Sequence, residues 1–367
     1  MYLHSLACAV PPARFRQADI WPRFRALPVS AALRPSSNRL VERLLTHDNG
    51  VTHRHFCLPD FENLVEMDAG ALNAAFEREA PALAGAALER ALEGAGLAPD
   101  ALDALFVCTC TGYLCPGVSS FVAEAQGMRS NAHLQDIVGM GCGAAIPTLR
   151  SAAAFCAQQP GARVAVIAVE VCSAAFFIED EGDVIISACL FGDGAAALIL
   201  GGEPPALGAD AWRLHAFDSE HRPEHREILR FVNDAGKLKN RLGRTVPVRA
   251  AEAVGSLWQR FEETNGPEVE VLPHAGGKLI LQALRERMGI SHFPESEWAL
   301  ANAGNMSSPS VLFALAGYLH HHAPALPVSV PSAWEAPPRR EPAHPGRLWL
   351  TSFGAGFSAH ACAVSQG

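Results

Sequence analysis

Residues 135–155, QDIVGMGCGAAIPTLRSAAAF, place one cysteine in a glycine cluster between two differently patterned segments. Ile137 and Val138 before the cluster are β-branched, which favours a strand. The run after it has the composition of a helix, in which Pro147 is tolerated only in the first turn. The stretch therefore predicts a strand, a tight turn and a helix, with Cys142 at the helix N-terminus.

The glycines around Cys142 bear on two interpretations of this thiol. A cysteine in an apolar run is most often a packing residue. Glycine, however, permits positive φ and a close approach of the backbone to a ligand, which a packing cysteine does not require. Because a helix N-terminus stabilises a thiolate, the pattern favours a nucleophile whose pKa is lowered.

Composition limits the class of protein. The chain has 367 residues, 49% of them hydrophobic, and a formal net charge of −9. That charge argues against nucleic acid and anionic membranes as partners, and no apolar run reaches the roughly 18 residues that would span a bilayer. Ten cysteines in mostly apolar surroundings, with no secretory leader in MYLHSLACAVPPARF, indicate free thiols and a cytoplasmic protein.

Strand and helix patterns alternate along the chain, which predicts an α/β layered fold. After residue 205 the same order of elements begins again, which suggests an internal duplication with halves 1–205 and 206–367 joined by the loop-like segment 202–210. Buried strands are predicted within 103–109, 162–171, 195–201 and 269–273, and two more, joined by a glycine-rich corner, within 346–364.

Two further polar residues stand at predicted strand-to-helix junctions. His274 follows the strand in VLPHAGGKL, and Asn305 lies in the small-residue turn of ANAGNMSSPS ahead of a helix. Alone, the histidine is typical of a surface or core position and the asparagine of a turn. That both residues, like Cys142, stand at a strand-to-helix junction is more informative, because active sites of α/β folds form at such junctions.

Five motifs occur in order between about residue 40 and the C-terminus: DIVGMGCGAA, LFGDGAAA, LPHAGG, GNMSSPS and SFGAGFSAHA. Together they resemble the type III polyketide synthases, the chalcone-synthase-like enzymes of the thiolase superfamily. The resemblance implies a thiolase-like five-layered αβαβα fold made of two duplicated halves. It also implies a homodimer, because CTCTGYLCPG (108–117) is similar to the family's dimer-interface loop.

The same resemblance assigns roles to individual residues. It implies that Cys142 is the acyl-carrying nucleophile and that His274 and Asn305 are its partners. Phe191 matches the aromatic gatekeeper between the coenzyme A tunnel and the cavity, although it could equally be core packing. The other positions expected to line the cavity are Cys115, Ala175, Ser307 and Phe231.

The activity implied is a decarboxylative Claisen condensation. An acyl-CoA starter held on Cys142 is extended with malonyl-CoA, repeatedly, and the chain is cyclised to a small aromatic or pyrone product. The substrates are coenzyme A thioesters, and neither a metal nor a resident cofactor is expected. Two alternatives remain: an initiating β-ketoacyl-ACP synthase that makes one condensation, and a non-catalytic thiolase-fold subunit.

Basic residues are expected to bind the phosphates of coenzyme A. Arg39 and Arg43 precede the VTHRHF segment, but Asp48 stands where the family commonly has lysine. The run GKLKNR could compensate, although it is equally consistent with a solvated loop. It supplies Lys237, Lys239 and Arg241. Ala355 also departs from the resemblance, since chalcone synthases place proline in that corner.

Overall fold

The computed structural model describes residues 1–64, 66–205 and 210–367. Its strands are β1 (Tyr2–Ala9), β2 (Arg14–Arg16), β3 (His53–His55), β4 (Ala104–Cys108), β5 (His133–Ile137), β6 (Arg163–Glu170), β7 (Gly194–Gly201), β8 (Trp212–His221), β9 (Leu229–Asp234), β10 (Lys237–Leu242), β11 (Glu270–Pro273), β12 (Val328–Ser329), β13 (Arg347–Gly354) and β14 (Ser358–Gln366). The strands predicted from the apolar runs correspond to β4, β6, β7, β11, β13 and β14.

Helices separate most of these strands, as the alternating pattern predicts. They are α1 (Gln17–Arg25), α2 (Pro28–Ala32), α3 (Pro35–Thr46), α4 (Phe61–Leu64), α5 (Ala69–Ala95), α6 (Val118–Gln126), α7 (Ala145–Gln158), α8 (Gly182–Leu190), α9 (Val246–Asn265), α10 (Lys278–Met288), α11 (Pro294–Ala303) and α12 (Ser310–His322). None of the helices in the described ranges is long and apolar enough to cross a membrane.

The main sheet runs in the order β11-β13-β14-β8-β1-β7-β6-β4-β5, with β12 pairing on β1. Its two ends repeat one pattern. β4 and β6 are parallel, and β7 and β1 follow antiparallel. In the same way β11 and β13 are parallel, and β14 and β8 follow antiparallel. This repetition agrees with the predicted duplication.

The two repeats are hydrogen-bonded to one another, which the sequence does not indicate. Tyr2 and Leu3 of β1 pair with Arg213 and Trp212 of β8, so the strands form one continuous path. The division at residues 205 and 206 stays a prediction. Part of the expected connector, residues 206–209, lies outside the described residues.

Helices cover both faces of each repeat. In β6, Val164, Val166 and Ala168 pack into one buried cluster, while Ala165 and Ile167 belong to another, which also contains residues of α5. Side chains alternate between the faces of a strand, so both faces of β6 are buried and its run is continuously apolar.

The helices complete five layers. α5 lies on β1, β6 and β7, whereas α9 lies on β8, β13 and β14. Between the repeats, α7 contacts β4 and β6 as well as β13 and β14, and α12 contacts β1 as well as β11 and β13. The predicted five-layered α/β fold is therefore confirmed, with α7 and α12 as its central layer.

Candidate active site

Cys142 lies in a single 3₁₀ turn, Gly141–Gly143, directly before α7. Gly141 has φ of +57°, and a Cβ atom there would come within 3.0 Å of the Ala355 backbone nitrogen. A Cβ on Gly143 would come within 3.1 Å of the Gly354 nitrogen. The glycines are needed because the corner between β13 and β14 presses against this turn.

Ser307 connects the thiol to the Asn305 loop. Its hydroxyl donates to Cys142 Sγ at 3.3 Å, and Cys110 Sγ lies 3.1 Å from the same oxygen. The Ser307 backbone N–H donates to Asn305 Oδ1 at 2.7 Å. The expected cavity residue Ser307 is thus a direct neighbour of the candidate nucleophile.

Asn305 is fixed by its own amide and by its backbone. Its side-chain nitrogen donates to Gly276 O at 3.1 Å, in the turn that follows His274. The amide group has two N–H donors, so one remains for a ligand. A parallel bridge joins the backbones of Asn305 and Phe191. Asn305 therefore holds a defined orientation beside the expected gatekeeper.

His274 is buried at the end of β11, only 1% exposed. Its backbone N–H donates to Thr351 O at 2.7 Å, and its ring meets Phe353 at a centroid distance of 5.6 Å. Nδ1 has no hydrogen-bond partner among the described residues. Gly276 packs closely beside this ring: a Cβ atom on Gly276 would lie 3.2 Å from His274 Nε2.

These contacts bring the three predicted residues into one site. Cys142 contacts Ser307, which contacts Asn305, and the amide of Asn305 reaches Gly276 beside the ring of His274. The candidate nucleophile comes from the first repeat, and its two expected partners come from the second. The strand-to-helix junctions of both repeats thus converge, as predicted.

Burial changes the protonation of this pair. Desolvation, with a smaller contribution from the nearby Glu170 carboxylate, raises the pKa of Cys142 to about 12, although the Ser307 hydrogen bond opposes the shift. Desolvation lowers the pKa of His274 to about 3. The prediction of a lowered thiol pKa is therefore wrong, because loss of water outweighs the helix terminus. Both shifts favour the uncharged forms of the two groups, a thiol at Cys142 and an imidazole at His274.

Glu170 is a site residue that the sequence analysis missed. It is fully buried at the end of β6, and its carboxylate accepts hydrogen bonds from Thr109, Cys110 and Thr111 on one side. On the other side Ser308 Oγ donates to it at 2.6 Å. Glu170 therefore joins the loop after β4 to the Asn305 loop. An acidic residue ending an otherwise apolar strand was the available signal.

A cavity adjoins the site, and three of the residues expected there line it: Ala175, Phe191 and Phe231. Cys115 and Ser307 do not line it, so their assignment to this cavity is wrong. The thiol of Cys115 is instead exposed, on the loop between β4 and α6. The remaining lining residues are Thr111, Cys172, Phe176, Phe177, Val184, Ser187, Ala188, Leu238 and Asn240.

The expected coenzyme A residues divide into two groups. Arg39 and Arg43 are exposed on α3. Lys239, in contrast, has a side chain only 5% exposed, and its ammonium pairs with Glu179 at 2.8 Å and Glu181 at 2.6 Å. The assignment of Lys239 to phosphate binding is therefore wrong, because a buried ammonium with carboxylate partners is already neutralised.

The two other cations of this run differ from Lys239. Arg241 is half-exposed and pairs with Glu181 at 2.7 Å. Lys237 places its ammonium 5.3 Å from the centre of the Phe177 ring. Asp48, where a lysine was expected, forms an ion pair with Lys278 at the start of α10. Lys237 and Arg241 stay predictions as phosphate ligands.

Residues 1–258 match the family model described as FAE1/type III polyketide synthase-like protein. The chain belongs to this family. It is 29% identical over 314 residues to a 1,3,6,8-tetrahydroxynaphthalene synthase of Streptomyces peucetius subsp. caesius, covering 83% of this chain and 81% of the relative.

Other members of the FAE1/type III polyketide synthase-like family are similar over comparable lengths. A 3,5-dihydroxyphenylacetyl-CoA synthase of Streptomyces toyocaensis is 29% identical over 281 residues, 72% of each chain. The crystal structure of PKS-I from the brown alga Ectocarpus siliculosus has the same fold, with a TM-score of 0.88 at 21% identity over 100% of this chain and 98% of that one.

Proposed function

We propose that the chain is a type III polyketide synthase that extends an acyl group on Cys142 with malonyl-CoA and cyclises the product. The observation that carries this proposal is the convergence of Cys142, His274 and Asn305 at one buried site beside a cavity. Membership of the type III polyketide synthase family supports it. The relatives named for tetrahydroxynaphthalene and dihydroxyphenylacetyl-CoA favour an aromatic product over a pyrone.

Starter loading begins with proton transfer from Cys142 to the neutral imidazole of His274. The thiolate attacks the thioester carbon of the acyl-CoA, and the departing coenzyme A thiolate takes the proton from the imidazolium. Burial disfavours each charge alone, as the pKa directions of both groups indicate. Formation of a thiolate–imidazolium pair offsets part of that cost, since each charge stabilises the other.

Extension begins when malonyl-CoA loses CO₂. The electron pair of the broken C–C bond moves to the thioester oxygen, giving an enolate. The second N–H of the Asn305 amide and an N–H of His274 are the donors that would stabilise this oxyanion, each contributing roughly 3–4 kcal/mol. The enolate carbon then attacks the acyl carbonyl on Cys142, and the thiolate leaves. Phe191 would exclude water from the reaction.

Coenzyme A thioesters are proposed as the only small-molecule substrates, and no resident cofactor enters these steps. No cluster of metal-ligating side chains occurs within residues 1–64, 66–205 and 210–367. All ten cysteines are free thiols, which agrees with the proposed cytoplasmic location.

The proposed function predicts iterative use of malonyl-CoA. Purified protein with malonyl-CoA, alone or with an acyl-CoA starter, should release CO₂ and give products that contain several two-carbon units, with or without EDTA. Mass spectrometry identifies these products. A single condensation that requires malonyl-carrier protein would instead indicate an initiating ketoacyl synthase. Absence of both CO₂ release and product would indicate a non-catalytic subunit.

A homodimer is proposed from the surface of the first repeat. β5 is the edge strand of the main sheet, and Leu134 on it is 38% exposed. Val138, which follows β5 directly, is 46% exposed, and Tyr113, on the loop after β4, is 69% exposed. An exposed strand edge with apolar side chains is suited to pairing with a second copy. Cys115 lies on the same loop as Tyr113, where it could reach the partner's cavity.

The dimer proposal predicts that Leu134→Lys weakens association. A lysine on an edge strand opposes pairing, because its charge would be buried next to its own symmetry mate. Sedimentation velocity should show a dimer for the unchanged chain and a shift toward monomer for this variant. Leu279→Lys, at an exposed leucine on α10, is the matched control and should remain dimeric. A monomeric unchanged chain would contradict the proposal.

A further inference from the structure

Arg54 on β3 is a buried arginine without an acidic partner. Arg54 is 2% exposed, and no carboxylate among the described residues forms an ion pair with its guanidinium. Asp193 is a nearby acid, but its carboxylate is held by Cys57 N, Ser173 N and Ser173 Oγ. A buried cation in this situation requires another source of negative potential.

The C-terminus of α8 supplies that potential. Arg54 Nη1 donates to Ala188 O at 2.6 Å and to Phe191 O at 2.9 Å. These carbonyls belong to the last turn and the C-cap of the helix, where the dipole is negative and no intrahelical donor is available. The guanidinium also lies over the ring of Phe56, 4.9 Å from its centre. Burial lowers the pKa of Arg54 to about 10, so it remains a cation at neutral pH.

The remaining carbonyls at this helix end are also occupied. Gln17 receives a hydrogen bond from Arg54 Nε at 2.8 Å and donates to Cys189 O at 2.6 Å. Asn305 N donates to Leu190 O at 2.9 Å. Three separate parts of the chain, at Arg54, Gln17 and Asn305, therefore terminate α8, and Arg54 is hydrogen-bonded to Gln17.

The same helix end is the point at which Phe191 and Asn305 meet. Gly192 N donates to Asn305 O at 3.0 Å, which closes the bridge between the two backbones. A Cβ on Gly304 would lie 3.1 Å from Arg54 Cγ. The arginine stem therefore packs against the residue before Asn305 while its head holds the residue expected to act as gatekeeper.

We propose that Arg54 is a positioning residue, which aligns Phe191 and Asn305 so that the Asn305 amide points at the enolate oxygen. The inference rests on the proposed polyketide synthase function. It concerns the decarboxylation of malonyl-CoA and not the loading of Cys142, because the hydrogen bonds of Arg54 within the described residues go to Gln17, Ala188 and Phe191 and not to the Cys142 turn. A misplacement of about 1 Å in a reacting geometry costs on the order of 100-fold in rate.

The test separates the two half-reactions in Arg54→Lys and Arg54→Met. Lysine keeps the positive charge but has a single nitrogen in place of the planar guanidinium with its several N–H donors. Methionine keeps only an apolar side chain of similar length. Starter loading on Cys142 is measured by intact-protein mass after mixing with an acyl-CoA, and decarboxylation by ¹⁴CO₂ release from malonyl-CoA. In both variants the rate of loading should stay within about twofold of that of the unchanged chain. The kcat for CO₂ release should fall about 10- to 100-fold in Arg54→Met and by a smaller factor in Arg54→Lys.

Arg14→Met is the matched control, because Arg14 on the adjacent strand β2 also donates to a backbone carbonyl, Ala333 O at 2.7 Å, away from the helix end. Its two half-reactions should change together or not at all. Thermal melting sets a temperature at which every variant is folded. If Arg54→Met does not fold, the lysine variant and hydrogen exchange of residues 188–193 decide the question.

Equal losses of loading and decarboxylation in the Arg54 variants, or no loss in either, would overturn the positioning role. Unchanged exchange at residues 188–193 in a folded Arg54→Lys protein would also overturn it. If the unchanged chain itself neither loads a starter nor releases CO₂, the proposed function fails, and this inference falls with it. If the unchanged chain is active and Arg54→Lys has the same ratio of starter loading to CO₂ release, the positioning role of Arg54 is wrong and the proposed function stands.

Discussion

Cys142→Ala is expected to make no polyketide and still release CO₂ from malonyl-CoA. In the proposed mechanism condensation needs the sulfur, because the growing acyl chain is held there, whereas the enolate forms on malonyl-CoA beside His274 and Asn305. Cys142→Gln should release CO₂ faster than the alanine variant, since its amide carbonyl can occupy the place of the acyl carbonyl. The measurement is ¹⁴CO₂ release and product formation on the same samples.

Cys156→Ala, in the helix α7 that follows the Cys142 turn, is the control for removal of a thiol. Cys156 is buried on α7 and lies in the main hydrophobic cluster, so its loss should reduce stability but leave product formation in place. Polyketide made by Cys142→Ala would mean that the thiol is structural. The proposed mechanism would then be wrong.

Asn305→Ala is expected to have the opposite phenotype. Cys142 should still accept an acyl group, while decarboxylation falls by roughly 10²–10³-fold, the usual effect of one lost oxyanion donor. Acyl transfer to Cys142 is followed by intact-protein mass and decarboxylation by ¹⁴CO₂. A variant that loads slowly but decarboxylates normally would assign Asn305 to the first step.

The asparagine substitution also removes structural hydrogen bonds. Asn305 donates to Gly276 O and accepts from Ser307 N, and unpaired buried groups cost about 1–3 kcal/mol each. Asn302→Ala serves as the control, because Asn302 is a buried asparagine of α11 whose amide donates to Trp298 O. It should lower the melting temperature without changing the ratio of loading to decarboxylation.

The sequence was sufficient to predict which three residues meet at the candidate site. Cys142, His274 and Asn305 each stand beside glycine or small residues at a strand-to-helix junction, and local patterns of this kind are visible in a single chain. The apolar runs likewise predicted the buried strands. Local sequence could not indicate the β1–β8 pairing, which depends on residues far apart in the chain meeting at one edge.

The errors and omissions have one physical origin. The pKa of Cys142 depends on how much water the fold removes, which no short motif reveals. Lys239 was misassigned because its acidic partners, Glu179 and Glu181, precede it by about 60 residues. The contacts of Arg54 could not be predicted either, because it is held by the backbone carbonyls of Ala188 and Phe191 and by the distant side chain of Gln17. These are all long-range properties.

The placement of β1 has a consequence for folding during synthesis. This strand leaves the ribosome before its partners, yet it pairs with β7 at residues 194–201, with β8 at residues 212–213 and with β12 at residues 328–329. Until those partners have been translated, β1 carries unpaired backbone groups and an apolar surface. Pairing over such separations is slow, because long loops must close first. β1 therefore stays unpaired at least until residue 201 has been translated, which lengthens the interval in which the nascent chain can aggregate.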